Sequence, residues 1–139
     1  MLIFITSKLK TKQLSFLKNN TLSTIIILSP YAIEQISNKN IQNLVFPEDM
    51  LDMSDLENID ITVKSILKKY LVENKFLFNN INLSCLSYYE LHSIFIKYLK
   101  IIKTIKTIKQ KYSSSKIKIL GTNKEIKNLI EFYFKKKPI

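Results

Sequence analysis

The chain has 139 residues, enough for one domain that buries roughly 70% of the surface its unfolded form exposes. All 22 basic residues are lysine, against 11 acids, and there is a single glycine, a single histidine and a single cysteine. One glycine excludes the glycine-rich loops that cradle phosphates, and one cysteine with one histidine excludes a zinc site, a disulfide framework or a Cys-x-x-Cys redox pair.

The remaining composition is that of a folded protein, 46% hydrophobic and 24% charged. Isoleucine, lysine and asparagine dominate, as an AT-rich genome would encode, so lysine abundance alone carries little functional weight. The start of the chain, Met1-Leu-Ile-Phe-Ile-Thr-Ser-Lys, has neither a basic region before its apolar run nor a small-residue cleavage site. No apolar stretch is long enough for a transmembrane helix. A cytoplasmic protein, peripheral to a membrane at most, is expected.

In chain order, Leu2 to Thr6 is an unbroken apolar run, the pattern of a strand buried on both faces. Thr11 to Lys18 reads as a short helix ending at Asn19-Asn20. Thr24 to Leu28 contains Ile25-Ile26-Ile27, the strongest strand signal in the chain. Ser29-Pro30 then opens a helix reaching about Ile36, with proline at the first helical position where its missing N–H costs nothing. Asn43 to Phe46 is a third strand, stopped by Pro47.

Two longer helices follow, each announced by a capping box, Ser54-x-x-Glu57 and Ser87-x-x-Glu90. The first lines up Leu56, Ile59, Val63, Ile66, Leu67 and Tyr70. The second lines up Leu91, Phe95, Tyr98, Ile102, Ile105, Ile108 and Tyr112. Asn79 to Leu86 between them reads as loop. Ser113 to Ser115 ends the second helix, Lys116 to Leu120 is a strand, and Gly121 follows it. Thr122-x-x-Glu125 is a third capping box, opening a final helix through Phe134. The order β-α-β-α-β-α-α-β-α predicts an α/β fold: a Rossmann-like, mostly parallel sheet of about four strands with helices on both faces. There is no repeat or internal linker, so residues 1–139 read as one domain.

Ligands of an open parallel sheet sit beyond the carboxyl ends of its strands. The candidate ligand-binding residues there are Ser7 and Lys8, Ser29, Glu48 and Asp49, and Gly121, Thr122 and Asn123. The last group could offer backbone N–H groups to an anion at a helix start. A turn at Gly121 and a cap at Thr122 account for the same residues without a ligand.

Six acids, Glu48, Asp49, Asp52, Asp55, Glu57 and Asp60, fall within thirteen residues that hold no lysine. Glu48, Asp49 and Asp52 are carboxylates of the kind a hard cation binds, but no calcium-loop spacing is present, and helix-start preference explains Asp55 and Glu57. No metal site is assigned, no cofactor is expected, and no catalytic residue can be named. His92 has no orienting partner close in sequence and reads as a surface or boundary residue, with Cys85 as an inert thiol.

Residues 97–139 hold thirteen lysines against Glu125 and Glu131, so this stretch carries the whole net charge of +11. Lysines 97, 100, 103, 106 and 109 wind around one helix. They could contact phosphates, but the absence of arginine and of any binding motif argues against nucleic acid and for a solvated face. Lys135 to Lys137 would add weak attraction to anionic surfaces.

Several segments resemble the N-terminal half of GT-B-type glycosyltransferase-like proteins of surface carbohydrate biosynthesis (capsule or lipopolysaccharide), a group that shades into the CDP-glycerol glycerophosphotransferase-like enzymes. They are Leu2-Ile-Phe-Ile-Thr-Ser, Ile25-Ile-Ile-Leu-Ser-Pro-Tyr, Leu44-Val-Phe-Pro-Glu-Asp, Ile81-Asn-Leu-Ser-Cys-Leu-Ser-Tyr-Tyr-Glu-Leu and Ser115-Lys-Ile-Lys-Ile-Leu-Gly. The resemblance implies an acceptor-side domain that meets a carbohydrate acceptor and works with a separate nucleotide-sugar-binding chain or domain, without transferring sugar alone. It implies a fragment, a split-gene subunit or a degenerate relative, since the chain spans at most the N-terminal domain of such enzymes and ends where such a fold would begin its next strand. It transfers no catalytic residue. Two other expectations stand beside it: a small basic binding module for nucleic acid or anionic membrane using residues 97–139, and a non-catalytic interaction protein.

Overall fold

The computed structural model describes residues 1–37, 39–73, 77–113 and 115–135, without the side chains of residues 78, 81–83 and 135. The expected attraction through the terminal lysine run therefore falls outside the described side chains. The chain divides into two compact units, residues 1–50 with 104–139, and residues 51–103.

The first unit is the α/β sheet. Strands β1 (Leu2–Ile5), β2 (Thr24–Ile27), β3 (Leu44–Val45) and the late strand Ile117–Leu120 form one all-parallel sheet, in which β1 lies between β2 and the late strand and β3 is beyond β2. The register sets Ile5 against Ile27 on one side and Leu120 on the other. All four residues of β1 are buried, as an unbroken apolar run requires of a central parallel strand. Each fully buried isoleucine or phenylalanine contributes roughly 2 kcal/mol.

Helices cover both faces. On one, α1 (Thr11–Lys18) and α2 (Pro30–Ser37) pack Leu17, Ala32 and Ile36 against Ile3, Ile5, Ile25, Ile27 and Leu120. On the other, Phe4 meets Phe134 of the last helix edge to face, at 5.4 Å between ring centroids. That helix (Lys124–Lys135) also buries Ile126 and Ile130, four residues apart and in step with Phe134. β3 is shorter than the sequence suggests. Asn43 takes a left-handed backbone (φ 47–64° is the range of the non-glycine cases here, φ 57° for Asn43), and the Phe46 N–H donates to Asp49 Oδ2 at 2.8 Å instead of to a neighbouring strand.

The second unit is built on α3 (Met53–Glu73) and the first part of α4 (Tyr88–Lys111). Ile59, Val63 and Leu67 of α3, spaced by four, pack against Tyr88, Leu91, Phe95, Ile96 and Leu99 of α4. Ile66 and Tyr70, expected on the same stripe, are exposed at 41% and 45%. The stripe is narrower than its hydrophobicity implied.

Between the helices, where loop was expected, a two-residue hairpin joins β4 (Leu77–Phe78) to β5 (Ile81–Asn82), followed by a 3-10 turn over Leu83–Ser87. Its corner residues Asn79 and Asn80 both have positive φ, 49° and 64°, the signature of a type I′ turn that asparagine tolerates. The late strand and last helix are thus β6 (Ile117–Leu120) and α5 (Lys124–Lys135).

Two capping boxes are displaced from their expected residues. At α3 the reciprocal pair is Asp52 and Asp55: the Asp55 N–H donates to Asp52 Oδ1 at 2.7 Å and the Asp52 N–H to Asp55 Oδ2 at 3.4 Å. Ser54 lies inside the first turn. At α5 the cap is Asn123, whose Oδ1 accepts from the Ile126 N–H at 3.0 Å, and Thr122 is released for another contact.

Thr104, in the α4 stretch of the first unit, is fully buried, and its hydroxyl has no hydrogen-bond partner among the described residues. Thr104→Val removes this uncompensated polar group at nearly constant volume and is expected to raise stability by about 1 kcal/mol, read as a higher denaturant midpoint at unchanged slope.

Candidate functional site

The strand order β3-β2-β1-β6 makes the gap between the carboxyl ends of β1 and β6 the topological switch point, because the chain leaves β1 toward β2 on one side and returns to β6 on the other. There the structure joins residues 115 positions apart. The Thr122 N–H donates to Ser7 Oγ at 2.7 Å, and the two hydroxyls lie 3.2 Å from each other. Beneath them the buried Thr6 hydroxyl donates to the Leu120 carbonyl at 3.1 Å.

Gly121 makes this closure possible. Its φ of +106° is open to glycine, and a Cβ there would lie 2.7 Å from Ser7 N, Ser7 Oγ and Thr6 Oγ1. The β1 side is held independently. Leu9 is buried, and Gln35 of α2 clamps its backbone twice: Oε1 accepts from the Leu9 N–H at 2.7 Å, and Nε2 donates to the Leu9 carbonyl at 3.0 Å. The loop carrying Ser7 and Lys8 is therefore fixed at both ends.

Of the sequence-derived candidates, Ser7, Gly121 and Thr122 come together, with Asn123 beside them as the cap of α5. Two of the N–H groups that an anion would have used are engaged within the chain, that of Thr122 by Ser7 and that of Ile126 by Asn123. What the site presents is a pair of hydroxyls, Ser7 half-buried and Thr122 exposed. Lys8 is exposed next to Ser7. Ser29 is buried, and its carbonyl accepts the Ala32 N–H as α2 begins. Glu48 and Asp49 lie in a 3-10 turn over Pro47–Met50, where Asp49 both accepts from the Phe46 N–H and donates its own N–H to the Phe46 carbonyl. Among the described residues no three His, Cys, Asp or Glu side chains converge.

A second cluster lay beyond the reach of the sequence. His92 on α4 sits with Nε2 3.0 Å from Asp60 Oδ1 on α3, its ring stacked on Tyr88 one turn earlier. Asp60 also pairs with Lys64 at 2.6 Å. The Lys64 ammonium, more than His92, holds the Asp60 carboxyl below its usual 3.8, so the carboxylate accepts and the imidazole donates from Nε2. Asp55 is lowered in the same way by Lys103, 2.9 Å away. The acidic stretch thus ties α3 to α4 within the second unit.

The lysine stripe is largely spent on such contacts. Lys103 pairs with Asp55, while Lys106 and Lys109 lie over the rings of Tyr133 and Phe134, at 5.7 and 5.1 Å from their centroids. Among the described residues no helix is long and apolar enough to cross a membrane.

Two outcomes are expected. Gly121→Ala combines a strained backbone with a clash against Ser7 and should lower stability by about 3 kcal/mol in denaturant titration. For Asp60, a lowered folded pKa means its contribution is present above pH 3.8 and is lost as pH falls through the folded value. The stability difference between wild type and Asp60→Asn should shrink as pH falls below 3.8 and through the folded value of Asp60, read from denaturant midpoints across the acid range.

The chain was compared with known protein families, with characterised proteins and with solved structures. None of the three comparisons finds a match.

Proposed function

We propose that the chain is a Rossmann-like binding domain of the acceptor-side kind in surface-polysaccharide glycosyltransferases, holding a carbohydrate and lacking transfer activity of its own. The observation that carries this reading is the Ser7–Thr122 hydroxyl pair at the switch point of the sheet. Each hydroxyl can both donate and accept, so the pair can exchange its mutual bond for bonds to the hydroxyls of a sugar. The rigid seat made by Gly121 and the Gln35 clamp limits the ordering cost of binding. The segmental resemblance supplies the substrate class, since the fold alone does not define one. The nucleotide-sugar donor would be held by a separate chain or domain.

The alternative of a basic module for nucleic acid or anionic membrane is weakened by the lysines already committed to Asp55, Tyr133 and Phe134.

The test is an NMR titration of the labelled chain with neutral and acidic oligosaccharides. Amide shifts concentrated at Ser7, Gly121 and Thr122, with binding weakened about tenfold in Ser7→Ala, are expected for the loss of one bridging hydroxyl. Sugar transfer from a nucleotide sugar by the isolated chain, or a titration that leaves those amides unmoved, would overturn the reading.

A further inference from the structure

β6 ends the sheet on the side away from β2, and among the described residues it pairs with β1 alone. The Leu2 N–H donates to the Lys116 carbonyl at 2.8 Å and the Thr6 N–H to the Leu120 carbonyl at 2.9 Å. A parallel ladder alternates, so residues 116, 118 and 120 turn their backbone groups toward β1. The N–H and C=O groups of Ile117 and Ile119 consequently point out of the sheet.

The two sides of this edge differ. Ile117 and Ile119 share the face of Phe4, because Phe4 is in register with Ile119. They are half-buried and line an open groove of about 300 Å³ that Lys127 and Glu131 of α5 also border. Lys116 and Lys118 share the opposite face and are exposed. An incoming strand would meet isoleucine on one face and lysine on the other, residue by residue.

We infer that the β6 edge accepts one added β-strand from a partner protein, an extended segment in which apolar residues alternate with acidic ones. Main-chain bonds to Ile117 and Ile119 supply the pairing, and the alternation supplies the selectivity. The apolar side chains lie along Ile117 and Ile119, and the carboxylates lie beside Lys116 and Lys118. The two exposed lysines of the strand itself, Lys116 and Lys118, supply the charge complementarity that favours this partner. A second copy of this chain is the wrong occupant. A continuous sheet about a twofold axis would put Lys116 and Lys118 of both copies on one face, which is how lysines guard sheet edges against self-pairing.

The experiment is hydrogen exchange by NMR on the full chain with two synthetic peptides, one alternating valine and glutamate and the other valine and lysine. The glutamate peptide should slow exchange at the Ile117 and Ile119 amides while leaving Lys118, already bonded to β1, unchanged. Binding should weaken in salt, fall on the order of tenfold in Lys118→Glu, and be absent for the lysine peptide. Equal binding of the two peptides, protection spread away from β6, or concentration-dependent protection of these amides before any peptide is added would each overturn the proposal.

Discussion

β1 is bonded along both edges, to β2 and to β6, and its side chains are packed on both faces. Everything in the first unit is arranged around that double demand. A strand with no free edge and no wet face must be apolar at every position, and Leu2-Ile-Phe-Ile satisfies this with no polar interruption. Ile3 and Ile5 anchor the side of α1 and α2, while Phe4 anchors the side of α5. The same double pairing places Thr6 and Ser7 opposite Gly121 and Thr122. The candidate site is thus a by-product of how the central strand is satisfied, made rigid by Gly121 and by the separate Gln35 clamp.

What could be read from the sequence follows from how local each signal is. Ile25-Ile26-Ile27, Pro30 at a helix start and the glycine after the last strand are self-contained, and each sits where it was expected. Caps were misassigned by a residue or two because serine, threonine, asparagine and aspartate are all competent there. The choice between Thr122 and Asn123 depended on Ser7, far away in the chain, claiming Thr122. The hairpin at Asn79-Asn80 was legible in principle, since two adjacent asparagines between Phe78 and Ile81 signal a type I′ corner, but its strands are only two residues long. The Asp60–His92 tie was not legible at all. Its partners are 32 residues apart, and nothing local to either fixes how the two helices are set against each other.

The lysine content acquires a structural meaning from the same contacts. Lys106 and Lys109 lie over the half-buried rings of Tyr133 and Phe134 on α5, and Lys118 lies 5.8 Å from the centroid of Phe16. In a chain without arginine or tryptophan, long lysine stems above phenylalanine and tyrosine rings take up part of the covering role. The lysine-rich composition is put to use in packing.

The position of β6 in the chain also sets an order of events. β1, β2 and β3 lie within the first 45 residues and can pair as soon as they are made, with α1 and α2 closing one face. The opposite edge and face of β1 wait for residues 117 to 135, more than seventy positions after β3. During synthesis, at about 5–20 residues per second, the strand that becomes the most protected in the molecule spends several seconds with one side bare. Until β6 arrives, the vulnerable edge is the middle of the finished sheet.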